Sequence, residues 1–356
     1  MAYIELHKEK LVHNYEFLNR LFEKYDKDWG VVSKILCGNR VFLKELLDLG
    51  VKEIHDSRIS NLKVIKSINP DIQTVYIKPP AKKAIRSLVK YADVSFNTEA
   101  DTIKQISKEA IRQNKTHSVI IMIEMGDLRE GVLGENLIDF YAQIFEQPNI
   151  NVIGIGTNLN CLSGVMPSHD KLIQLSLYKQ LIEATFKRKI PWVTAGSSVT
   201  LPLLFKKMVP QGSNHFRIGE SLYFGNNLVT GKTIKGMKAD VFKLHAQIIE
   251  LNEKPIVPLG EIGTNVAGES PEINENDFGK TTYRAIIDLG LLDIDMNNIF
   301  PVNKSISFAG ASSDMIVMDL GENKKKLKVG DYISFRLNYM GALSILNSNY
   351  IDKIVV

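Results

Sequence analysis

The feature that most constrains the fold of this chain is a regular alternation of short β-branched segments with longer segments of helical periodicity. The short segments predict eight strands, at residues 31–35, 53–55, 73–77, 94–96, 119–123, 152–156, 192–194 and 216–218. Because parallel strands need crossovers of about helix length, eight βα units predict the α/β class and a (β/α)8 TIM barrel. A doubly wound open sheet is the alternative, although no Gly-x-Gly-x-x-Gly follows the first strand to favour its dinucleotide-binding form.

The helical segments and a later change of texture predict the domain organisation. Helices are expected at residues 12–25, 40–49, 57–68, 82–91, 98–111, 135–145, 170–187 and 199–207. From about Gly231 short strand-like segments follow one another between Gly, Pro and Asn, at residues 242–251, 283–289, 306–309, 316–320 and 332–337. We therefore predict a barrel over residues 1–230 and a C-terminal mostly-β domain over residues 231–356, with the first few residues able to pair with the β domain.

Charge and cysteine content exclude several classes of function. Lys plus Arg (44) and Asp plus Glu (40) leave a formal charge of +4, too balanced to make nucleic acid or an anionic membrane the expected partner. Cys37 and Cys161 lie far apart with no Cys/His pairing, so the sequence predicts neither a disulfide framework nor a metal site. The N-terminus reaches charged residues at once and the longest apolar run is far shorter than a membrane span, which predicts a cytoplasmic protein.

A TIM barrel carries its site at the carboxyl ends of its strands, so the strand map predicts where the chemistry lies. The residues at those ends are Lys34, Asp56 to Arg58, Lys78, Asn97, Arg129, Thr157, Asn158, Gly196 to Ser198, and Arg217 to Gly219. Cationic side chains predominate among them. The sequence therefore predicts a binding site for an anionic small molecule.

Lys34 and two glycine-containing turns narrow this prediction to one cofactor. An amine inside the apolar segment Val31–Leu36 would favour its neutral, nucleophilic form, as Schiff-base chemistry requires, whereas the alternative is a lysine that extends to solvent. Gly196 to Ser198 and Gly219 follow strands seven and eight, where barrels commonly bind phosphate through backbone N–H groups, although each is also an ordinary glycine turn. Together they indicate pyridoxal 5′-phosphate (PLP).

Longer motifs point to a known family. They are Val32-Ser-Lys34-Ile-Leu-Cys-Gly-Asn39, Asp56-Ser-Arg58-Ile-Ser-Asn61, His117 to Gly131, Gly154-Ile-Gly-Thr-Asn158, Phe216-Arg217-Ile-Gly219-Glu220, Pro258-Leu-Gly-Glu261-Ile-Gly263, Gly310 to Asp314 and Phe335 to Tyr339. Over nearly its whole length the sequence resembles the alanine racemase-like PLP enzymes (fold type III), and within them the ornithine racemase branch.

The resemblance implies a role for each cofactor residue. Lys34 forms the Schiff base (the internal aldimine) and is one of the two bases that a racemase needs, one for each face of the substrate α-carbon. Arg217 meets the pyridine nitrogen, where a permanent cation keeps that nitrogen unprotonated. Ser198, Gly219 and Glu220 match the phosphate contacts, and Arg129 matches an arginine near the cofactor and the substrate carboxylate. The family also implies a homodimer.

Three departures from the family pattern qualify these roles. Asn158 stands where alanine racemases place a histidine against the ring, and Met122 stands where many carry a carbamylated lysine, so Arg129 must be held by another group. Asn265 stands at the position of the second base, a tyrosine in alanine racemases, and an amide cannot take a proton at neutral pH. The candidates for that base are Tyr339, Asp314 and Cys161.

The expected substrate is an amino acid, with ornithine or another basic amino acid favoured. A cationic side chain calls for a carboxylate in the pocket, and the candidates are Asp127, Glu130, Glu220, Glu261 and Asp288. Met315 stands where ornithine racemases tend to carry histidine, which leaves alanine or a broader range of substrates open. A non-catalytic PLP carrier is the other alternative, whereas the sequence signals of the related decarboxylases and metal-assisted aldolases do not occur in this chain.

Overall fold

The computed structural model describes residues 1–264, 270 and 273–356. The chain forms two compact units: a barrel unit, Glu9–Ala239, and a β unit that combines Met1–Lys8 with Asp240–Val356. Strand β1 (Tyr3–Leu6) belongs to the β unit, and helix α1 (Lys8–Lys24) leads into the barrel unit. Among the described residues, no helix combines the length and the apolar composition that crossing a membrane requires.

The barrel unit contains eight strands and the helices that connect them. Its elements are β2 (Asp28–Val32), α2 (Arg40–Leu47), β3 (Glu53–Asp56), α3 (Ile59–Ile68), β4 (Gln73–Tyr76), α4 (Ile85–Tyr91), β5 (Val94–Asn97), α5 (Ala100–Arg112), β6 (His117–Met122), α6 (Leu137–Phe145), β7 (Ile150–Gly156), α7 (His169–Phe186), β8 (Trp192–Ser197), α8 (Leu201–Phe205), β9 (His215–Ile218) and α9 (Glu220–Phe224). The strands pair in parallel in chain order, and β9 pairs with β2. The predicted TIM barrel is confirmed, and because the sheet closes, the open-sheet alternative is wrong.

The alternation of side chains along the strands divides the barrel core into two layers. Along β6, Val119 and Ile121 belong to a large apolar cluster that includes residues of α5, α6 and α7. Ile120 and Met122 belong instead to a smaller cluster with residues of β4 and β5. Successive strand residues point to opposite faces, so the smaller cluster is the barrel interior. Apolar side chains thus fill the interior beside β4 to β6.

The β unit is mostly antiparallel. Its further elements are β10 (Phe242–Pro255), β11 (Thr281–Ile287), β12 (Ile299–Pro301), β13 (Ser307–Ala311), β14 (Ile316–Asp319), β15 (Tyr332–Leu337), α10 (Tyr339–Asn347) and β16 (Asp352–Val355). The strands follow the order β12-β15-β10-β11-β14-β13, and β1 lies antiparallel to β10 and parallel to β16. The predicted mostly-β domain is confirmed. Its sequence pattern did not reveal β12, α10 or β16.

The two compact units divide between residues 239 and 240, whereas the sequence pattern placed the boundary between 230 and 231. The intervening residues bond within the barrel unit. Asn14 on α1 donates to Lys238 O at 2.8 Å and accepts the Lys238 N–H at 2.7 Å, and Ile234 N–H donates to Gly225 O at 2.7 Å. These contacts tie the segment to α1 and to the end of α9.

Candidate active site

Lys34 lies at the carboxyl end of the first barrel strand, but not within it. Strand β2 ends at Val32, and Lys34 begins a single 3-10 turn with its side chain exposed. The expectation of an amine buried in a strand through residue 35 is therefore wrong. The chain turns because the Ser33 N–H donates to His55 O at 2.8 Å and the Ser33 hydroxyl donates to Asp56 Oδ2 at 2.8 Å.

Asp56, at the end of β3, is the buried anchor of this turn. Besides the Ser33 hydroxyl it accepts the Arg58 N–H at 2.9 Å and the Asn61 Nδ2–H at 3.1 Å, both at Oδ1. Burial raises the pKa of the Asp56 carboxyl to about 6, although these donors act to lower it. The backbone next to Lys34 is thus held by a carboxyl group that titrates near neutral pH.

Arg217, on β9, is buried and bonded on both sides of its guanidinium. Nη1 donates to Thr194 O at 2.7 Å and to Thr194 Oγ1 at 2.5 Å, and Nη2 donates to Thr157 O at 2.9 Å and to Asn158 Oδ1 at 2.8 Å. Burial lowers the pKa of Arg217 to about 10, so the side chain stays a cation at neutral pH. Strand pairing places Arg217 opposite Gly30 of β2, the strand that precedes Lys34.

Glu130 connects the two arginines. One carboxylate oxygen of Glu130 accepts from Arg129 Nε. The other accepts from Arg129 Nη2, 2.6 Å away, and also from Asn158 Nδ2. The pKa of Arg129 is raised, first by the hydrogen bond to Glu130 and further by the negative charges of Glu130 and Asp127. Since Met122 is buried and apolar, the sequence required another group to hold Arg129, and Glu130 is that group. The sequence named Glu130 only as a possible partner for a substrate.

Ser198 and Gly219 follow the carboxyl ends of β8 and β9, two strands that pair with each other. Ser198 is buried, and its Oγ accepts the Ser221 N–H of α9 at 3.2 Å, so its own hydroxyl proton can be donated to another group. A Cβ at Gly219 would lie 3.0 Å from Val32 Cβ, which makes a side chain there unfavourable. Glu220 accepts from Asn226 Nδ2 at 3.0 Å.

A polar cluster beneath Arg217 was not found from the sequence. Glu53 and His55 on β3 and His215 on β9 are all buried, and both histidines contact the same Glu53 oxygen, His215 at 2.9 Å. Burial alone raises the pKa of Glu53, but the two histidines outweigh it and hold the pKa below the ordinary range. The available signal was ionisable residues two positions apart in a strand, Glu53 with His55 and His215 with Arg217.

The candidates for a second base lie in different parts of the chain. Tyr339 is the first residue of α10, half-buried, and Asp314 is exposed between β13 and β14, where its Oδ2 accepts the Ser313 hydroxyl at 2.9 Å. Both belong to the β unit, and Asn265 lies outside the described residues. Cys161 belongs to the barrel unit, where its N–H donates to Asp127 Oδ2 at 3.0 Å.

Three of the five acidic candidates for substrate binding accept hydrogen bonds from other groups of the barrel unit. Asp127 accepts three backbone N–H groups, from residues 161, 162 and 165. Glu130 holds Arg129, and Glu220 bonds Asn226. Asp288 is half-exposed with its Oδ2 3.8 Å from the terminal amine of Met1, and Glu261 is exposed.

Comparisons with known proteins show the family and the fold of this chain. A family model described as the alanine racemase N-terminal domain matches residues 6–227. The chain is 38% identical to an ornithine racemase of Acetoanaerobium sticklandii over 97% of this chain and 96% of the relative. It is 31% identical to a lysine racemase of Thermotoga maritima over 91% and 89%. A crystal structure of alanine racemase from Bartonella henselae with covalently bound pyridoxal phosphate shares the fold at a TM-score of 0.75 and 17% identity, over 100% of this chain and 99% of that one.

Proposed function

The chain belongs to the alanine racemase N-terminal domain family, and from this premise we propose that it is a PLP-dependent racemase that interconverts the L and D forms of a basic amino acid, ornithine first. The observation that carries the proposal is the neighbourhood of two strands. Lys34 follows β2 with an exposed amine, and Arg217 lies buried on β9, which pairs with β2. This neighbourhood supports a site with a nucleophilic amine and a fixed cation at one end of the barrel.

The donor groups at the strand ends fit PLP. Lys34 would attach the cofactor, Arg217 would face its pyridine nitrogen, and Asn158 would lie beside the ring. The Ser198 hydroxyl, whose oxygen accepts from Ser221, can donate to a phosphate together with the backbone at Gly219 and Glu220. When bound, the cofactor supplies an electron-withdrawing ring that weakens the bond between the substrate α-carbon and its hydrogen.

The chain's own residues supply the rest of the chemistry. The Lys34 amine holds a proton on one face of the substrate α-carbon. Arg217 remains cationic at neutral pH, so it cannot accept a proton and keeps the facing nitrogen unprotonated. Arg129 would bind the substrate carboxylate as a fork of donors, and Glu130 fixes the direction of that fork.

For the base on the opposite face we propose Tyr339, with Asp314 and Cys161 as the other candidates. A variant that loses one base should still exchange the α-hydrogen of one enantiomer with solvent but should no longer invert it. We expect Tyr339→Phe to behave in this way, and Tyr332→Phe, a tyrosine of the neighbouring strand β15, to serve as the matched control. Normal inversion by Tyr339→Phe would remove Tyr339 and direct the same assay to Asp314→Asn and Cys161→Ser.

The proposal extends to substrate, assembly and compartment. The ornithine and lysine racemases support a basic substrate, and Asp288 and Glu261 are the acidic candidates for its side chain. We propose a homodimer, as the family resemblance implies, and a cytoplasmic location. The location is supported by the two cysteines, Cys37 and Cys161, which are both free thiols in the structure.

The decisive experiment follows hydrogen exchange. The PLP-loaded protein is incubated in heavy water with L-ornithine, L-lysine, L-arginine, L-alanine and L-serine in turn, with mass and chiral analysis. We expect deuterated D-product from a basic amino acid, loss of turnover in Lys34→Ala, and normal turnover in the control Lys83→Ala, an exposed lysine. Turnover by Lys34→Ala, or absence of exchange with every substrate, would contradict the proposal, and the second result would favour a PLP carrier.

A further inference from the structure

The Glu53 carboxylate is joined to the Arg217 guanidinium through two side chains, those of His215 and Thr194. His215 Nε2 lies 2.9 Å from Glu53 Oε1, and His215 Nδ1 lies 2.9 Å from Thr194 Oγ1. The same Thr194 oxygen accepts from Arg217 Nη1 at 2.5 Å. Glu53, His215, Thr194 and Arg217 therefore form one continuous hydrogen-bonded row across strands β3, β9 and β8.

The direction of every bond in this row follows from the chemistry of its end groups. A guanidinium has only donors, so Thr194 Oγ1 accepts from Arg217. Among the described residues the only hydrogen-bond acceptor beside the Thr194 hydroxyl is His215 Nδ1, so the hydroxyl proton points there rather than being buried without a partner. That nitrogen must then carry a lone pair, so the proton of His215 lies on Nε2 and points to Glu53. An ionised carboxylate has only acceptors, which fits this end of the row. The row therefore requires a neutral His215 in its Nε2–H tautomer.

His55 supports the same arrangement. Its Nε2 contacts the Glu53 oxygen that His215 uses, and its Nδ1 is buried with no hydrogen-bond partner among the described residues. A buried N–H without an acceptor is costly, so the His55 proton also lies on Nε2. A Cβ at Gly30 would overlap His55 and lie 2.6 Å from Glu53 Oε1, so a glycine on β2 makes room for the cluster.

Arg217 touches neutral oxygens and no carboxylate in the row. Its acceptors belong to Thr194, Thr157 and Asn158, while Glu53 lies two residues away along the row and Glu130 lies behind Asn158. The guanidinium is thus oriented from both sides while its charge is not cancelled by direct contact. Such an arrangement suits a cation whose charge must act on a ligand.

We propose that Glu53, acting through His215 and Thr194, is a positioning residue that orients the Arg217 guanidinium toward the cofactor. The inference rests on the proposed function, because the cofactor gives the orientation its use. Glu53, His55 and His215 are also residue types that bind zinc, and their ligand atoms lie within 4.8 Å of one another. A metal on His215 Nε2 would put the proton on Nδ1, opposite to the row, so the location of that proton decides between the two.

The test uses the full-length protein and two conservative variants. Thr194→Val removes the hydroxyl at nearly constant volume, and Thr194→Ser restores it. His117→Gln is the matched control, because His117 is a buried barrel histidine that bonds Ser95 at 2.9 Å and is not part of the row. Glu53→Gln tests the other end of the row.

Nitrogen-15 NMR of the histidine and arginine side chains gives the readout that needs no cofactor. We expect His215 to carry its proton on Nε2, the Arg217 side-chain signals to shift in Thr194→Val, and those signals to return in Thr194→Ser. Three results would each overturn the proposal. They are a proton on His215 Nδ1, Arg217 signals that stay unchanged in both Thr194→Val and Glu53→Gln, and one equivalent of bound metal that is lost in His215→Asn. Should Glu53→Gln not fold, the Thr194 pair still decides.

The cofactor-bound protein gives the second readout. In Thr194→Val we expect a shifted visible absorption band of bound PLP and a roughly tenfold lower kcat at nearly unchanged KM, as expected for the loss of one hydrogen bond to a charged group. Thr194→Ser should recover both, and His117→Gln should lose stability without shifting the band. If the absorption band and the kcat of Thr194→Val equal those of the unaltered protein, the positioning role is refuted. If the unaltered protein does not racemise any amino acid, the proposed function fails, and the NMR result still stands on its own.

Discussion

Asp56→Asn should make the barrel more stable at alkaline pH, although it removes a hydrogen-bonded carboxylate. Burial raises the pKa of Asp56 to about 6 in the folded chain from an ordinary 3.8. The folded state therefore binds the proton more tightly than the unfolded state, and stability falls as pH rises between these two values. The full difference corresponds to about 3 kcal/mol, of which about 1.4 kcal/mol develops between pH 5 and pH 8.

An asparagine at position 56 carries no charge, so folding does not bury an ionised carboxylate there. Its Oδ1 can accept from Arg58 and Asn61 as the carboxylate does, and its amide can donate to Ser33 Oγ, whose hydroxyl can turn to His55 O at 3.2 Å. We expect the variant to gain about 1.4 kcal/mol relative to the unaltered protein on going from pH 5 to pH 8.

Urea unfolding followed by tryptophan fluorescence is the assay. Both tryptophans, Trp29 and Trp192, belong to the barrel unit, so the signal reports that unit alone. Equal urea dependence in the two proteins would license the comparison of unfolding free energies. A variant whose stability relative to the unaltered protein is the same at pH 5 and pH 8 would refute the reasoning, because it would mean that the three donors offset the burial of the charge completely.

Three further predictions address other contacts. Asp127→Asn should destabilise the barrel by about 1–3 kcal/mol at pH 7 and by less near pH 3. Three backbone N–H groups outweigh burial and lower the pKa of the Asp127 carboxyl, so the stability that the carboxylate contributes is lost as pH falls. Fluorescence-detected unfolding at the two pH values measures this difference. Glu130→Gln should raise KM for the amino acid roughly tenfold by releasing Arg129, and steady-state kinetics would show an unchanged KM if Arg129 were held otherwise. Gly30→Ala should cost about 1–3 kcal/mol through overlap with His55, whereas Gly50→Ala, which meets no atom within 4 Å, should show only the cost of its positive φ in the same unfolding assay.

The barrel could be predicted because its strands are local apolar runs with a clear period. The error at Lys34 has a physical cause: the apolar run continues through Ile35 and Leu36, but Ser33 bonds to the next strand and starts a turn. Sequence periodicity does not contain that tertiary bond. Strands β12 and β16 were missed because each is short and pairs with a strand distant in the chain, β15 and β1 respectively, so no local pattern marks them.

The site could be predicted only where residues lie at strand ends or in recognisable motifs. Arg217 and Ser198 were named as candidates in this way. The partnership of Glu130 with Asn158 joins positions 28 residues apart, and that of Glu53 with His215 joins positions 162 residues apart, so no local pattern records either. A charged residue inside a strand is most readily interpreted as exposed, and only the closure of the barrel shows that Glu53 is buried.

The pairing of β1 with β16 has a consequence for biosynthesis. Tyr3 lies opposite Asp352 in this parallel pair, so β1 is synthesised well before the strand that covers one of its edges. The barrel unit is complete by residue 239 and has the means to fold vectorially during translation, whereas β1 must keep one unsatisfied edge until residues 352–355 have been made. A ribosome that stalls within the β unit would hold a chain with a finished barrel unit and with one edge of β1 open to hydrogen bonding with other nascent chains.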